Sequence, residues 1–170
     1  MGSISTYVGG NPISNIDPLG LWGLGGIGSA SAEAGLGVVG GGGNVAAGGG
    51  LFWGGTGGVN LGGFASAGGF LGGPHYGPSY PAQKPASCGQ PNVALGGFAG
   101  AGIGGFLTNA NSASELRGPF TNYNVNVGFG PVQFSLQIGV SGSTWIGSLT
   151  FGPGYGASVS TFQTNTWSTR

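Results

Sequence analysis

Glycine occupies 44 of the 170 positions, and that density limits what can hold the chain together. Each glycine loses more backbone entropy on folding than any other residue and brings no side chain to bury. A fold made this way leans on backbone hydrogen bonds. Glycine plus proline at about a third of a chain signals low complexity when other support is missing. Here Leu, Ile, Val and Phe are too frequent for a disordered chain, and the mean hydropathy is positive at +0.21. No run of charge solvates an open coil. The chain therefore reads as ordered but poor in side-chain mass. No three-residue glycine period persists, which excludes a collagen-like winding.

Charge excludes several function classes. The only charged residues are Asp17, Glu33, Glu115, Lys84, Arg117 and Arg170. Three scattered cations cannot form the basic patch that phosphate contacts require, so nucleic acid is not an expected partner. A Cys/His zinc site needs about four ligands, and only Cys88 and His75 are present. No metal and no cofactor is expected. A lone Cys88 forms no internal disulfide. The glycine runs, Gly40–Gly43 among them, are not phosphate loops, because no Gly-Lys-Ser/Thr follows. His75 has no nucleophile or orienting acid near it in sequence and reads as a surface-loop histidine. Glu115 and Arg117, in the one briefly helical stretch (residues 112–117), read as a solvated face. Enzymatic activity is not expected from residues 22–170.

Patterning divides the chain into a short irregular N-terminal tail (1–21), a Gly-rich half (22–73), a Pro-rich connector (74–92) and a patterned half (93–170). In the last, Val125, Val127 and Phe129 alternate with Asn124, Asn126 and Gly128. After Gly130-Pro131 the phase slips, and Val132, Phe134, Leu136, Ile138 and Val140 alternate with polar or small residues. Period two marks strands, and the slip predicts a bulge or turn. Ser141-Gly142-Ser143 predicts a second turn. Gly152-Pro153-Gly154 interrupts a further alternation that resumes in phase through Tyr155, Ala157 and Val159. Two short repeats, Phe-Gly-Pro at 129 and 151 and the octapeptide at 61–68 and 95–102, read as hairpin units used twice. The expected fold is mostly β: Gly-rich antiparallel hairpins in a sheet or barrel.

Three details stay open at this level. Residues 93–107 fit a strand, and they also fit a small-residue membrane helix with Gly96, Gly100 and Gly104 on one stripe. In water six glycines would cost such a helix roughly 5 kcal/mol. Glu33 reads as a guard at a sheet edge, with a pore-lining position as the other reading. Trp22, Trp53, Trp145 and Trp167 suit core or barrel-end packing, and would also suit a membrane interface.

The stretch Tyr7-Val8-Gly9-Gly10-Asn11-Pro12, followed by Asp17-Pro18-Leu19-Gly20-Leu21, resembles the end of the RHS repeat-associated core domain, whose closing pattern is Pro-x-x-x-x-Asp-Pro-x-Gly-Leu. Pro12, Asp17, Pro18, Gly20 and Leu21 match, and the resemblance covers residues 1–21. It implies a bacterial polymorphic toxin in which a repeat shell encloses a variable C-terminal effector. It makes Asp17 the self-cleavage acid and Leu21–Trp22 the scissile bond, so that residues 22–170 are the effector. It also implies the RHS repeat shell and a cognate immunity protein as partners, and delivery without a signal peptide of its own. Residues 1–20 contain no secretory signal. The nearly uncharged body adds a lipid bilayer as the expected target of a non-enzymatic effector; an inert or structural β-module is the alternative. An Asp acts as acid or base only where its surroundings shift its pKa and place a partner, and this chain carries no shell. The isolated chain is therefore expected to stay uncut, and an unchanged intact mass after prolonged incubation is the check.

Overall fold

The computed structural model describes residues 22–53, 58–71 and 92–169. The tail over 1–21 and, save residue 92, the connector over 74–92 lie outside the described residues. Six strands make up most of the rest: β1 (Trp22–Gly37), β2 (Val39–Trp53), β3 (Val59–Leu71), β4 (Val93–Thr108), β5 (Gly118–Ser141) and β6 (Thr144–Ser168). A 3-10 turn at Ala113–Leu116 joins β4 to β5, where the brief helical stretch was expected. The mostly-β fold is thus present, and residues 93–107 are strand. All pairings are antiparallel, in the order β3-β2-β1-β4-β6-β5 with β3 also pairing β6.

That last pairing closes a ring. β5 flanks one edge of β6 along nearly its whole length. On its other edge β6 takes β4 from Ile146 to Thr161, then β3 from Thr164 to Ser168. The circuit β6–β4–β1–β2–β3–β6 closes through five residue pairs, Phe64–Gly68 of β3 with Thr164–Ser168 of β6, so the sheet curls into a barrel.

The β5–β6 ribbon is folded over on itself. Asn126 and Ser135 hydrogen-bond although nine residues apart, and Gln137 Nε2 donates to Asn122 Oδ1 at 2.7 Å although fifteen residues separate them. A straight strand would hold Asn122 and Gln137 about 50 Å apart. The fold-back lies where the phase slip predicted it: the ladder shifts register between Gly130 and Gln133. Gly130 there has φ +76°, a left-handed conformation that residues with a Cβ resist. The inward face changes from even-numbered positions (Asn122, Asn124, Asn126) to odd ones (Gln133, Ser135) across it, as a one-residue slip requires. The tight turn expected at residues 141–143 joins Ser141 to Thr144.

Three expectations need correction. The octapeptides at 61–68 and 95–102 are not hairpins; each lies in a single strand, β3 or β4, and these strands are not neighbours. Their shared pattern turns a leucine out and a phenylalanine in, since Leu61 and Leu95 are exposed while Phe64 and Phe98 are buried. The two Phe-Gly-Pro repeats belong to one hairpin, on its two arms beside the fold-back. Gly152-Pro153-Gly154 does not interrupt β6, which runs through it.

The bore is narrow, and glycine makes it possible. A Cβ on inward-facing Gly104 would overlap the Leu149 carbonyl oxygen, and one on Gly50 would overlap that of Leu24. Outward-facing glycines such as Gly26 and Gly28 have open space or ordinary contacts. Two apolar clusters sit along the bore. Ile27, Phe52, Phe64, Phe106, Leu116 and Phe120 centre the first, with Phe64 and Phe106 edge to face at 5.0 Å; Phe70, Ala94 and Phe162 form the second.

Gly104→Ala is expected to destabilise the barrel by about 3 kcal/mol, because its Cβ meets backbone that cannot yield. Gly105→Ala, whose Cβ would find the Gly25 carbonyl oxygen at 3.6 Å, should stay within about 0.5 kcal/mol of the parent or gain slightly. Urea unfolding of the two variants checks the contrast.

Candidate functional site

The inner face also carries polar side chains beside the two apolar clusters. Among them is Glu33 on β1, which is 6% exposed. Glu33 therefore does not guard an edge; the correction follows from its place on the inner face of a strand paired on both sides. Its Oε1 accepts hydrogen bonds from Asn126 Nδ2 and, at 2.5 Å, from Ser158 Oγ. Asn126 Nδ2 also reaches Ser158 Oγ at 3.2 Å, and Ser135 Oγ donates to Asn126 Oδ1. One carboxylate thus ties β1 to β5 and β6. Donors of this kind are what a buried carboxylate needs, since its desolvation is costly.

The same inner face carries more hydrogen-bonded pairs. Asn122 Nδ2 donates to Thr164 Oγ1 at 2.7 Å, and Ser29 and Thr150 share a bond of 3.0 Å. Gln133, fully buried, fills space that Gly100, Gly102 and Gly154 leave open. A small void of about 20 Å³ lies among Ile27, Phe64, Leu116, Asn122, Gln137 and Thr166, room for about one water molecule.

The outer wall is the reverse. Three rows of apolar side chains follow the strand register around it. Leu61, Leu51, Leu24 and Leu107 stand opposite one another on β3, β2, β1 and β4. Ile103, Phe151 and Phe134 do so on β4, β6 and β5. Val39, Leu36, Leu95, Val159 and Val125 complete a third row over five strands. All are exposed, Leu36 and Leu61 at 82% and Ile103 at 78%. Soluble monomers rarely expose contiguous apolar patches beyond a few hundred Å², and larger ones mark interaction surfaces. Among the described residues the only charges besides Glu33 are Glu115 and Arg117, both exposed in the β4–β5 loop.

That loop closes one end of the barrel. Ala113 and Leu116 are buried in the first cluster. Asn109 Oδ1 accepts from the Trp145 backbone N–H at 2.7 Å, and Asn109 Nδ2 donates to the Ser143 carbonyl at 2.8 Å. Glu115 accepts from the Asn111 backbone N–H at 3.0 Å. Trp22 opens β1 opposite Trp53, which ends β2, and its ring meets Trp145 edge-on at 6.0 Å.

Of the residues singled out from sequence, Trp22, Trp53 and Trp145 are on this rim, whereas Trp167 stands opposite Ala65 of β3 and is exposed. Pro12, Asp17, Pro18, Gly20 and Leu21 lie outside the described residues, as do His75 and Cys88. Among the described residues no three His, Cys, Asp or Glu side chains gather. Sequence reasoning found the apolar alternation over 123–162 but not the rows on β1–β4. There the outward leucines are far apart in sequence, Leu24 and Leu36 between glycines, and only the pairing register joins them.

Removing lumen polarity should matter more than removing wall hydrophobicity. Asn126→Leu removes a donor to Glu33 and the acceptor of Ser135 and should cost about 3 kcal/mol. Its neighbour Val127, on the wall, should tolerate Ser within about 0.5 kcal/mol in buffer. Denaturant midpoints of both variants test this. Comparison with family models, with curated proteins and with solved structures gave no match to this chain.

Proposed function

We propose that residues 22–170 form a bilayer-inserting β-barrel, acting as the non-enzymatic C-terminal effector of an RHS-type polymorphic toxin. The observation that carries the reading is the inversion of the barrel: polar Asn, Gln, Ser, Thr and Glu side chains inside, rows of Leu, Ile, Val and Phe outside. A bilayer favours a wall of that kind, provided that the backbone satisfies its own hydrogen bonds. The ladder supports this for β1, β2 and β4, each paired on both sides, and for β3 over Phe64–Gly68. β1–β4 are 13 to 16 residues long, more than the roughly 9–11 that a tilted strand needs to cross. Among the described residues no helix is long and apolar enough to do so.

The toxin assignment rests on the resemblance at residues 1–21. On that reading Asp17 cuts the chain before Trp22 when a repeat shell surrounds it, and an immunity protein neutralises the released module. The filled bore supports insertion rather than a wide aqueous pore through one copy. It also favours the second reading, an inert or structural β-module that fills the shell or docks a partner.

Flotation with lipid vesicles separates the two. The full chain should rise with vesicles and bring its tryptophan emission to shorter wavelength. Ile103→Lys puts a charge in the middle of the wall at an exposed position. At about 2–4 kcal/mol for a cation at mid-bilayer, it should weaken association by roughly a hundredfold. A chain that remains in the buffer as a well-folded monomer at high lipid favours the inert module.

A further inference from the structure

The two ends of the wall are not alike, and resting on the bilayer reading the difference assigns an orientation. Trp22, Trp53 and Trp145 all lie at strand termini, on β1, β2 and β6, and all three are partly exposed. The register brings Trp22 beside Trp53, and the edge-on ring contact adds Trp145. The loop that closes this end carries Glu115 and Arg117 in exposed positions. Its Asn109 side chain holds the start of β6, bonding the Ser143 carbonyl within the β5–β6 turn and the Trp145 backbone N–H just after it. A few residues inward along the strands the first apolar row of the wall begins with Leu24, Leu51 and Leu107.

Tryptophan suits the boundary between water and hydrocarbon. Its ring is apolar and its indole N–H needs a hydrogen-bond partner. Charged side chains avoid the bilayer interior. We propose that the end bearing Trp22, Trp53 and Trp145 is the interfacial anchor of the barrel. The three indoles sit at the level of the lipid headgroups, the Glu115–Arg117 loop faces water, and Ile103 and Phe151 lie in the hydrocarbon. The partner is therefore a lipid surface met by a defined end of the protein. Among the described residues charge is absent from the wall where acyl chains would lie, and Glu115 and Arg117 stand where headgroups and water would lie.

Depth-resolved fluorescence quenching tests the orientation in the full chain on phosphatidylcholine vesicles. Trp167→Phe leaves the three rim tryptophans as the emitters. Their emission should be lost more to a quencher on the headgroup than to lipids brominated near the end of the acyl chain. Adding Ile103→Trp to that variant should introduce emission with the opposite order of loss. Phe151→Trp, across the ladder from Ile103, serves if the first reporter does not fold, as judged by its circular dichroism.

Equal quenching at both depths for rim and reporter, or rim emission lost chiefly to the deep quencher, overturns the orientation while leaving insertion intact. A chain that neither floats nor loses emission to any lipid quencher, or that covers its wall by forming a defined oligomer in buffer, overturns the orientation together with the bilayer reading.

Discussion

The width of the bore governs the rest of the structure. Neighbouring strands approach so closely on the inner side that carbonyl oxygens occupy the space where a β-carbon would stand, as Leu149 does at Gly104 and Leu24 at Gly50. Large side chains can enter only where glycines opposite make room. Phe52 lies over Gly23, Phe64 over Gly48, and Gln133 over Gly100 and Gly154. The volume gained is taken up by these side chains, and the void beside Ile27, Phe64 and Leu116 holds about one water. The glycine content that suggested a chain short of core is therefore the means by which a small barrel is packed.

Filling such a bore with polar side chains changes the energetic balance. A satisfied internal hydrogen bond adds only about 0.5–1.5 kcal/mol net, because water offers the same bonds to the unfolded chain. Covering one large aliphatic side chain is worth about 1.5–3 kcal/mol, and most of the large aliphatic side chains of β1–β4 are outside. In water the two Phe-centred clusters and the ladder must hold the fold. The larger reserve of hydrophobic free energy lies on the wall, where a second phase has to supply the burial. This imbalance ties the fold to the proposed function, since the surface that contributes least in buffer contributes most against hydrocarbon.

How much of this was legible depended on whether side chains or glycines carried the pattern. In β5 and β6, Asn124, Asn126, Ser158 and Ser160 mark one face and Val125, Val127 and Val159 the other, so alternation, phase slip and turn could all be read directly. In β1–β4 glycine occupies both faces, and a period of two loses its contrast. Leu24 and Leu36 stand twelve positions apart with nothing between them to say that they share a face with Leu107 and Leu95. The repeated octapeptide was visible, but its use as a strand in two separated places was not, because a repeat records local geometry and not neighbours. Glu33 was misplaced for the same reason. A charge among small residues looks exposed until Asn126 and Ser158, more than ninety positions away in sequence, are brought to it.

Glu33 also addresses a difficulty that a glycine-rich sheet creates for itself. Where neither face of a strand is distinctive, pairing register is weakly specified, and a slip of one residue exchanges the faces. β1 pairs β2 and β4 along runs in which glycine meets glycine or alanine, such as Gly35 with Gly40 and Gly96. Many neighbouring registers would satisfy the same backbone bonds. A one-residue slip of β1 would turn Glu33 toward the apolar wall and leave Asn126 and Ser158 without their acceptor, each change costing several times the thermal energy. A buried charge contributes little to stability in general, and its best-attested use is to select one register among several. Placed in the middle of the least distinctive strand pairings, and bonded to the two strands whose register side chains already fix, Glu33 transfers that definition to the half of the barrel where glycine cannot provide it.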